Sequence, residues 1–123
     1  MISILVLVLL SFGIASRSQA MPPGLQVSPR SIDFGENAVE SDSPPQDITV
    51  SNPTKSPISI EQILASGIDF SEKNNCGQKL APAAQCEIQV SFTPAISGPR
   101  MGSLEVMESS GIPQFVALTG IGK

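Results

Sequence analysis

Several short segments alternate apolar and polar residues with period two, interrupted at regular intervals by Pro, Gly, Asn and Ser. The clearest runs over residues 86–93: Cys86, Ile88, Val90 and Phe92 share one face, while Glu87, Gln89, Ser91 and Thr93 share the other. A strand patterned in this way has one dry face and one wet face. The alternation repeats at Ile32 and Phe34, Ile48 and Val50, Ile58 and Ile60, Leu104 and Val106, and Val116 and Leu118. Leu25-Gln26-Val27 adds an edge piece. Past residue 20, no window of a dozen residues holds an apolar stripe at helical spacing without a Pro or Gly inside it. The best helical stretch, residues 61–66, is too short to stand alone.

Turn chemistry fills the gaps at Ser43-Pro44-Pro45, Asn52-Pro53, Ser66-Gly67, Ser97-Gly98-Pro99 and Ser110-Gly111. Pro53, Pro94 and Pro113 mark strand ends, because proline donates nothing to a sheet ladder. About seven strands in about 100 residues predict an all-β fold, an immunoglobulin-like antiparallel two-sheet sandwich. No internal repeat is visible, so one domain is expected over residues 21–123.

Residues 1–20 follow a different rule. Ile4 to Leu10 is an unbroken aliphatic run, and the apolar stretch from Ile2 to Ile14 is shorter than the roughly 20 residues a bilayer span takes. It has the length of a secretory signal peptide's hydrophobic region, and Ser18-Gln19-Ala20 offers a small-x-small cleavage pattern. No Lys or Arg precedes the run, and Arg17 lies after it. The alternative is a translation start at Met21. With no Cys near the cleavage point, a lipid anchor on a new N-terminal Cys is excluded. Removing the leader also removes Arg17, which takes the net charge from −4 to −5.

Composition then narrows the function. The chain has no His, Trp or Tyr and only five Phe. Imidazole bases, Ser–His or Cys–His pairs and the usual zinc sites are therefore out. Aromatic platforms for sugars or single-stranded nucleic acid are equally unexpected. The acidic balance argues against DNA, RNA or anionic membranes as partners.

Cys76 and Cys86 are ten residues apart, the second opening the best strand and the first in the polar loop Asn74-Asn75-Cys76-Gly77. In an exported protein an even pair reads as a disulfide. Two thiols without His cannot close a zinc site, and no CxxC marks a redox pair. The remaining titratable candidates are carboxylates: Glu36, Glu40 and Asp42 in one expected loop, Asp69 and Glu72 in another. A glycosidase pair would need two acids about 5–9.5 Å apart in a cleft, which a domain this small has little room to build. No DxDxDG-type calcium loop is present, so a solvated acidic surface is the expectation and no cofactor or metal is implied.

The ordered text of the mature chain resembles the bacterial choice-of-anchor D domains of the Hydin-type (ASH) immunoglobulin-like group. The matching pieces are Val27-Ser-Pro-Arg-Ser-Ile-Asp-Phe34-Gly35, Ile48-Thr-Val-Ser-Asn52, Ser66-Gly67-Ile68-Asp69-Phe70-Ser71 and Asn75-Cys76-Gly77 with Leu80. Cys86 to Pro94, Ser97-Gly98 and Leu118-Thr-Gly120-Ile-Gly122 complete the set. The resemblance implies a spacer or adhesion-type module of exported surface proteins, or, for the eukaryotic relatives, a protein-binding domain. Each motif residue also has a plain structural reason. Phe34 and Phe92, and in the same motif set Phe70, Pro94 and Leu118, belong to the core and its ends. Gly35, Gly67, Gly98 and Gly120 are expected where a turn or bulge needs positive φ, and Asn52 ends a strand by bonding its own backbone.

Such domains usually come in tandem or with an anchor, whereas this sequence stops at Lys123 just after its last strand. The expectation is a secreted, periplasmic or surface-associated product, with no membrane span in the mature chain and a protein partner. Its function is expected to be structural or protein-interaction, with an exposed sheet edge as a candidate recognition surface, and not catalytic. The alternatives are a cytosolic ASH-type targeting domain starting at Met21, and a small secreted hydrolase or inhibitor on a sandwich scaffold.

Overall fold

The computed structural model describes residues 24–109 and 111–123. The expected leader over 1–20, the alternative start at Met21 and Ser110 of the last turn lie outside the described residues. Nine strands follow in order: β1 (Gln26–Ser28), β2 (Ser31–Asn37), β3 (Gln46–Ser51), β4 (Ile58–Ser66), β5 (Phe70–Asn74), β6 (Lys79–Leu80), β7 (Gln85–Phe92), β8 (Gly98–Glu108) and β9 (Pro113–Gly122). They form a four-stranded sheet, β1-β3-β7-β5, and a five-stranded sheet, β2-β9-β8-β4-β6. The fold is the all-β, immunoglobulin-like two-sheet sandwich that the alternation predicts.

The expected edge piece at Leu25–Val27 becomes β1, and the strand count exceeds the expected seven because β5 holds one apolar residue, Phe70, and β6 is only two residues long, too little to register as alternation. One pairing departs from the antiparallel expectation: β2 runs parallel to β9, Ser31 opposite Ala117 and Asn37 opposite Gly122, with a bulge after Asp33. The first extended stretch therefore switches sheets, its Val27 pairing with Val50 and its Ile32 with Leu118. Residues 61–66 belong to β4, not a helix, because β8 supplies their hydrogen-bond partners and Ile63 and Ala65 pack on the core. Gly98 and Pro99, expected in a turn, open β8 opposite Gly122 and Ile121.

The core lies between the sheets and repeats the predicted inward set. Ile48, Val50, Ile88, Val90, Phe92, Leu104, Val106, Val116 and Leu118 are fully buried. At one end of the sandwich three rings meet, Phe70 and Phe92 stacked with centroids 5.1 Å apart and Phe34 tilted against both. Phe34 is half-buried, since the β2 bulge carries it to the sheet margin. Gly35, Gly67 and Gly98 have φ of 71°, 101° and 104°, as expected of turn and bulge glycines. Gly120 differs. It lies within β9 without positive φ, and a Cβ there would stand 2.6 Å from Cζ of Phe92. Its role is to let the ring approach the backbone.

The Cys76–Cys86 disulfide is formed, with Cα atoms 5.0 Å apart and both residues buried. It ties the loop after β5 to the second residue of β7. Closing so short a loop stabilises by roughly 2.5–3 kcal/mol on the chain-entropy account. Replacing both cysteines by serine should lower the urea-unfolding free energy by about that amount, with the sandwich retained.

Candidate functional site

The carboxylates that could carry chemistry are scattered by the fold. Glu36 is on β2 rather than in a loop, and its Oε1 meets Lys123 Nζ at 3.2 Å with both side chains exposed. Glu40 sits in the following loop, its N–H donating to the Pro94 carbonyl at 2.8 Å. Glu72 is likewise on a strand, β5, where its Oε1 accepts from Asn74 Nδ2 at 2.9 Å. The fold brings only Asp42 and Glu72 to one place, an open groove of about 690 Å³ along the β5 edge that also includes Lys73, Ser71 and Gln89. Asp42 Oδ1 accepts from the Thr93 hydroxyl at 2.6 Å. No aromatic ring lines this groove. Among the described residues no group of three or more metal-ligating side chains converges. No helix among them is long and apolar enough to cross a membrane.

Asp69 behaves differently from the surface expected of it. It precedes β5, is 3% exposed, and receives the Ala95 N–H at 2.8 Å on Oδ1 and Arg100 Nε at 2.7 Å on Oδ2. Its own carbonyl accepts the Thr93 N–H at 2.7 Å. One residue thus clamps the β7–β8 connection and inward-pointing Arg100 of β8 onto the β4–β5 turn, joining both sheets. Burial pushes the carboxyl pKa upward, but the Ala95 hydrogen bond and the adjacent guanidinium outweigh it and hold the pKa below the usual value. A catalytic acid needs a proton to give near neutral pH, and this group is held ionised.

Asn52 makes a second clamp, reaching further than the expected local turn. Its Oδ1 accepts the Thr54 N–H at 2.9 Å, as expected, while its Nδ2 donates to the carbonyls of Ser56 and Leu80 at 2.8 and 2.9 Å. Its backbone exchanges hydrogen bonds with Ala83 and Ala84. Buried and satisfied on every side, it holds β6 and the β3–β4 loop together. Pro94 is fully buried beside Gly122, and Leu118 packs between the sheets.

Two buried polar residues lie outside the sequence expectation. Ser43 accepts the Phe92 N–H on Oγ at 3.0 Å and donates its own N–H to the Phe92 carbonyl at 2.9 Å, extending β7's pairing past β3. Glu108 is 2% exposed, and its Oε2 accepts the Leu25 N–H at 2.7 Å beside a cavity of about 350 Å³ lined by Ile58, Pro57 and Ile112. The parity of Leu104, Val106 and Glu108 on β8 was the available signal for its inward position. Nothing in the local sequence around Ser43 signals its partner, which lies 49 residues away.

Neither any protein-family model nor any curated protein matches the sequence. Solved structures do match the fold. An ASH/PapD-like domain of human CEP192 superposes with a TM-score of 0.61 at 12% identity, over 93% of this chain and 96% of that domain. The secreted serine protease VesC from Vibrio cholerae gives 0.63 at 16% identity, over 80% of this chain but only 23% of the protease. The CupB2 chaperone of Pseudomonas aeruginosa gives 0.57 at 14% identity, over 79% of this chain and 55% of the chaperone. The chain thus corresponds to less than two thirds of the latter two proteins. At these identities the likeness is one of fold: an ASH/PapD-like immunoglobulin-like sandwich.

Proposed function

We propose that the chain is exported and serves as a non-catalytic protein-interaction or spacer module, akin to the choice-of-anchor D domains that its sequence resembles. One observation carries this reading: of the five candidate acids the fold brings together only Asp42 and Glu72, in an open groove lined by no aromatic ring. Asp69, the most shielded of the five, is engaged in holding two turns and Arg100. Export rests on the apolar leader with its Ser18-Gln19-Ala20 pattern and agrees with a buried disulfide. Similar folds in a protein described as a secreted protease and in one described as a chaperone fit a module that accompanies other proteins.

The test is intact mass of the product recovered from its native compartment, with and without reductant. The expected result is an N-terminus at Met21 and a mass about 2 Da below the reduced form, the signature of one disulfide. Free thiols in that material overturn the exported reading in favour of a cytosolic targeting domain. A hydrolase activity abolished by Asp42→Ala or Glu72→Ala, the two acids that share a groove, overturns the non-catalytic one.

A further inference from the structure

The two outer faces of the sandwich are chemically unlike. On the four-stranded sheet the outward positions of β3 and β7 are Asp47, Thr49, Gln85, Glu87, Gln89 and Ser91, all polar. On the five-stranded sheet, Leu64, Met101, Phe115 and Ile121 point outward and are 43%, 77%, 53% and 43% exposed. Among the described residues the remaining large exposed apolar side chains, Ile68, Ile96 and Ile112, are in connections between strands. Cross-strand register places three of the four in two rows, with Ile121 one row beyond, between Pro99 and Glu36. Leu64, Glu105 and Phe115 form one row across β4, β8 and β9, while Met101 and Thr119 form another with Asp33 of β2. Between these rows lie only the small side chains of Ser66, Ser103 and Ala117. The result is a sheet face on which exposed apolar side chains and acids are interspersed. The outward positions of β2, β9, β8 and β4 carry Asp33, Glu36 and Glu105, while the cations lie at the margins, Lys123 paired with Glu36 and exposed Lys79 on the edge strand β6.

Apolar side chains left exposed together mark an interaction surface more often than the same residues scattered singly. The acids decide what covers it. Two copies of this chain placed face to face would set the acids of one against those of the other, with Lys123 already engaged by Glu36 and Lys79 out on the edge strand β6, so the acids at the centre, Glu105 and Asp33, would meet like charge. A partner bearing Lys or Arg among apolar side chains would satisfy both features, since long basic side chains lay their stems on apolar surface and extend their charge to the acids. We propose that this face is the docking surface for a segment of another protein that is apolar and basic. The proposal rests on the protein-interaction reading above and names the surface and the partner's chemistry.

The experiment places a benzophenone amino acid in the full chain at Phe115, or at Gln89 on the opposite sheet, in the organism that encodes it. After irradiation, adducts are counted and the cross-linked partner peptide is sequenced. The expected result is adducts from position 115 to a peptide mixing apolar residues with Lys or Arg. Glu105→Lys, checked for an unchanged melting curve, should lower the adduct yield by about tenfold, as reversal of a close charge contact does. Asp33→Lys is the second variant, expected to act in the same direction. Adducts from Gln89 alone overturn the docking face and leave the interaction reading standing. Adducts at 115 to a second copy of this chain, or to a neutral or acidic peptide, or a yield indifferent to both charge reversals, overturn the proposed partner chemistry. No adduct at either position overturns the docking surface and, with no partner pulled down through other tags, the interaction reading as well.

Discussion

Gly120→Ala should destabilise the domain by about 2–3 kcal/mol, measured by urea unfolding, although it adds only one methyl group to the interior of a strand. In an unconstrained strand the same change would stabilise by roughly 0.4–1 kcal/mol, because alanine has less freedom to lose on folding. The sign reverses here because the new Cβ would stand 2.6 Å from Cζ of Phe92, well inside van der Waals contact. The ring cannot swing aside cheaply: it is fully buried, stacks on Phe70 at 5.1 Å and meets Phe34 at 5.7 Å. Phe92→Leu shortens the side chain, so the cost of alanine at 120 should shrink in that background. The coupling from the double-mutant cycle should reach about 1–2 kcal/mol. Equal costs in both backgrounds would show that Gly120 serves something other than the ring.

Asp69→Ala should cost about 3 kcal/mol or more, a large share of the 5–15 kcal/mol typical of a whole domain. The loss has two parts. The Ala95 N–H is left without its acceptor, and Arg100, whose side chain is only 22% exposed, is left without its counter-charge. Asp69→Asn separates charge from shape and gives the pH signature. The folded-state pKa of Asp69 lies below its unfolded value of about 3.9, so its contribution is fully present well above that pH and is lost as pH falls through the folded pKa. Unfolding free energies at pH 7, 5 and 3 should therefore fall more steeply for the native chain than for Asp69→Asn below about pH 4. Parallel pH profiles for the two proteins would refute the assignment of Asp69 as an ionised clamp.

The parts of this fold legible in the sequence are those governed by strand parity. Ile88, Val90 and Phe92 face inward because every second side chain must, and the same logic places Val116, Leu118 and Leu104. Parity extended two residues further would have turned Glu108 inward, and extended to the opposite face would have exposed Phe115 and Met101 together. What parity cannot supply is who pairs with whom. The sheet switch between Val27 and Ile32, the parallel β2–β9 pairing and the Ser43–Phe92 bridge join residues 23 or more apart in sequence, and no local pattern encodes them. Asp69 was hidden for the same reason. In sequence it is one acid among several in polar connections, and only the closing of the sandwich brings Ala95 and Arg100 to it. At Gly120 the local sequence points to a backbone need, while the reason for glycine lies in a ring 28 residues earlier.

The parallel pairing of β2 with β9 also sets how the domain answers to mechanical load. Leu25 is fastened to Glu108 at the β8–β9 turn, whereas Lys123 leaves beside Asn37 at the far end of the same hairpin. A chain entering at the first point and leaving at the second is separated by the length of β8, about 35 Å for an 11-residue strand. Tension between these points first loads the short antiparallel β1–β3 pairing and, past it, pulls β2 and β9 along each other's length. Their ladder then carries the force in shear, every bond sharing it at once, where an antiparallel terminal pair would peel open bond by bond.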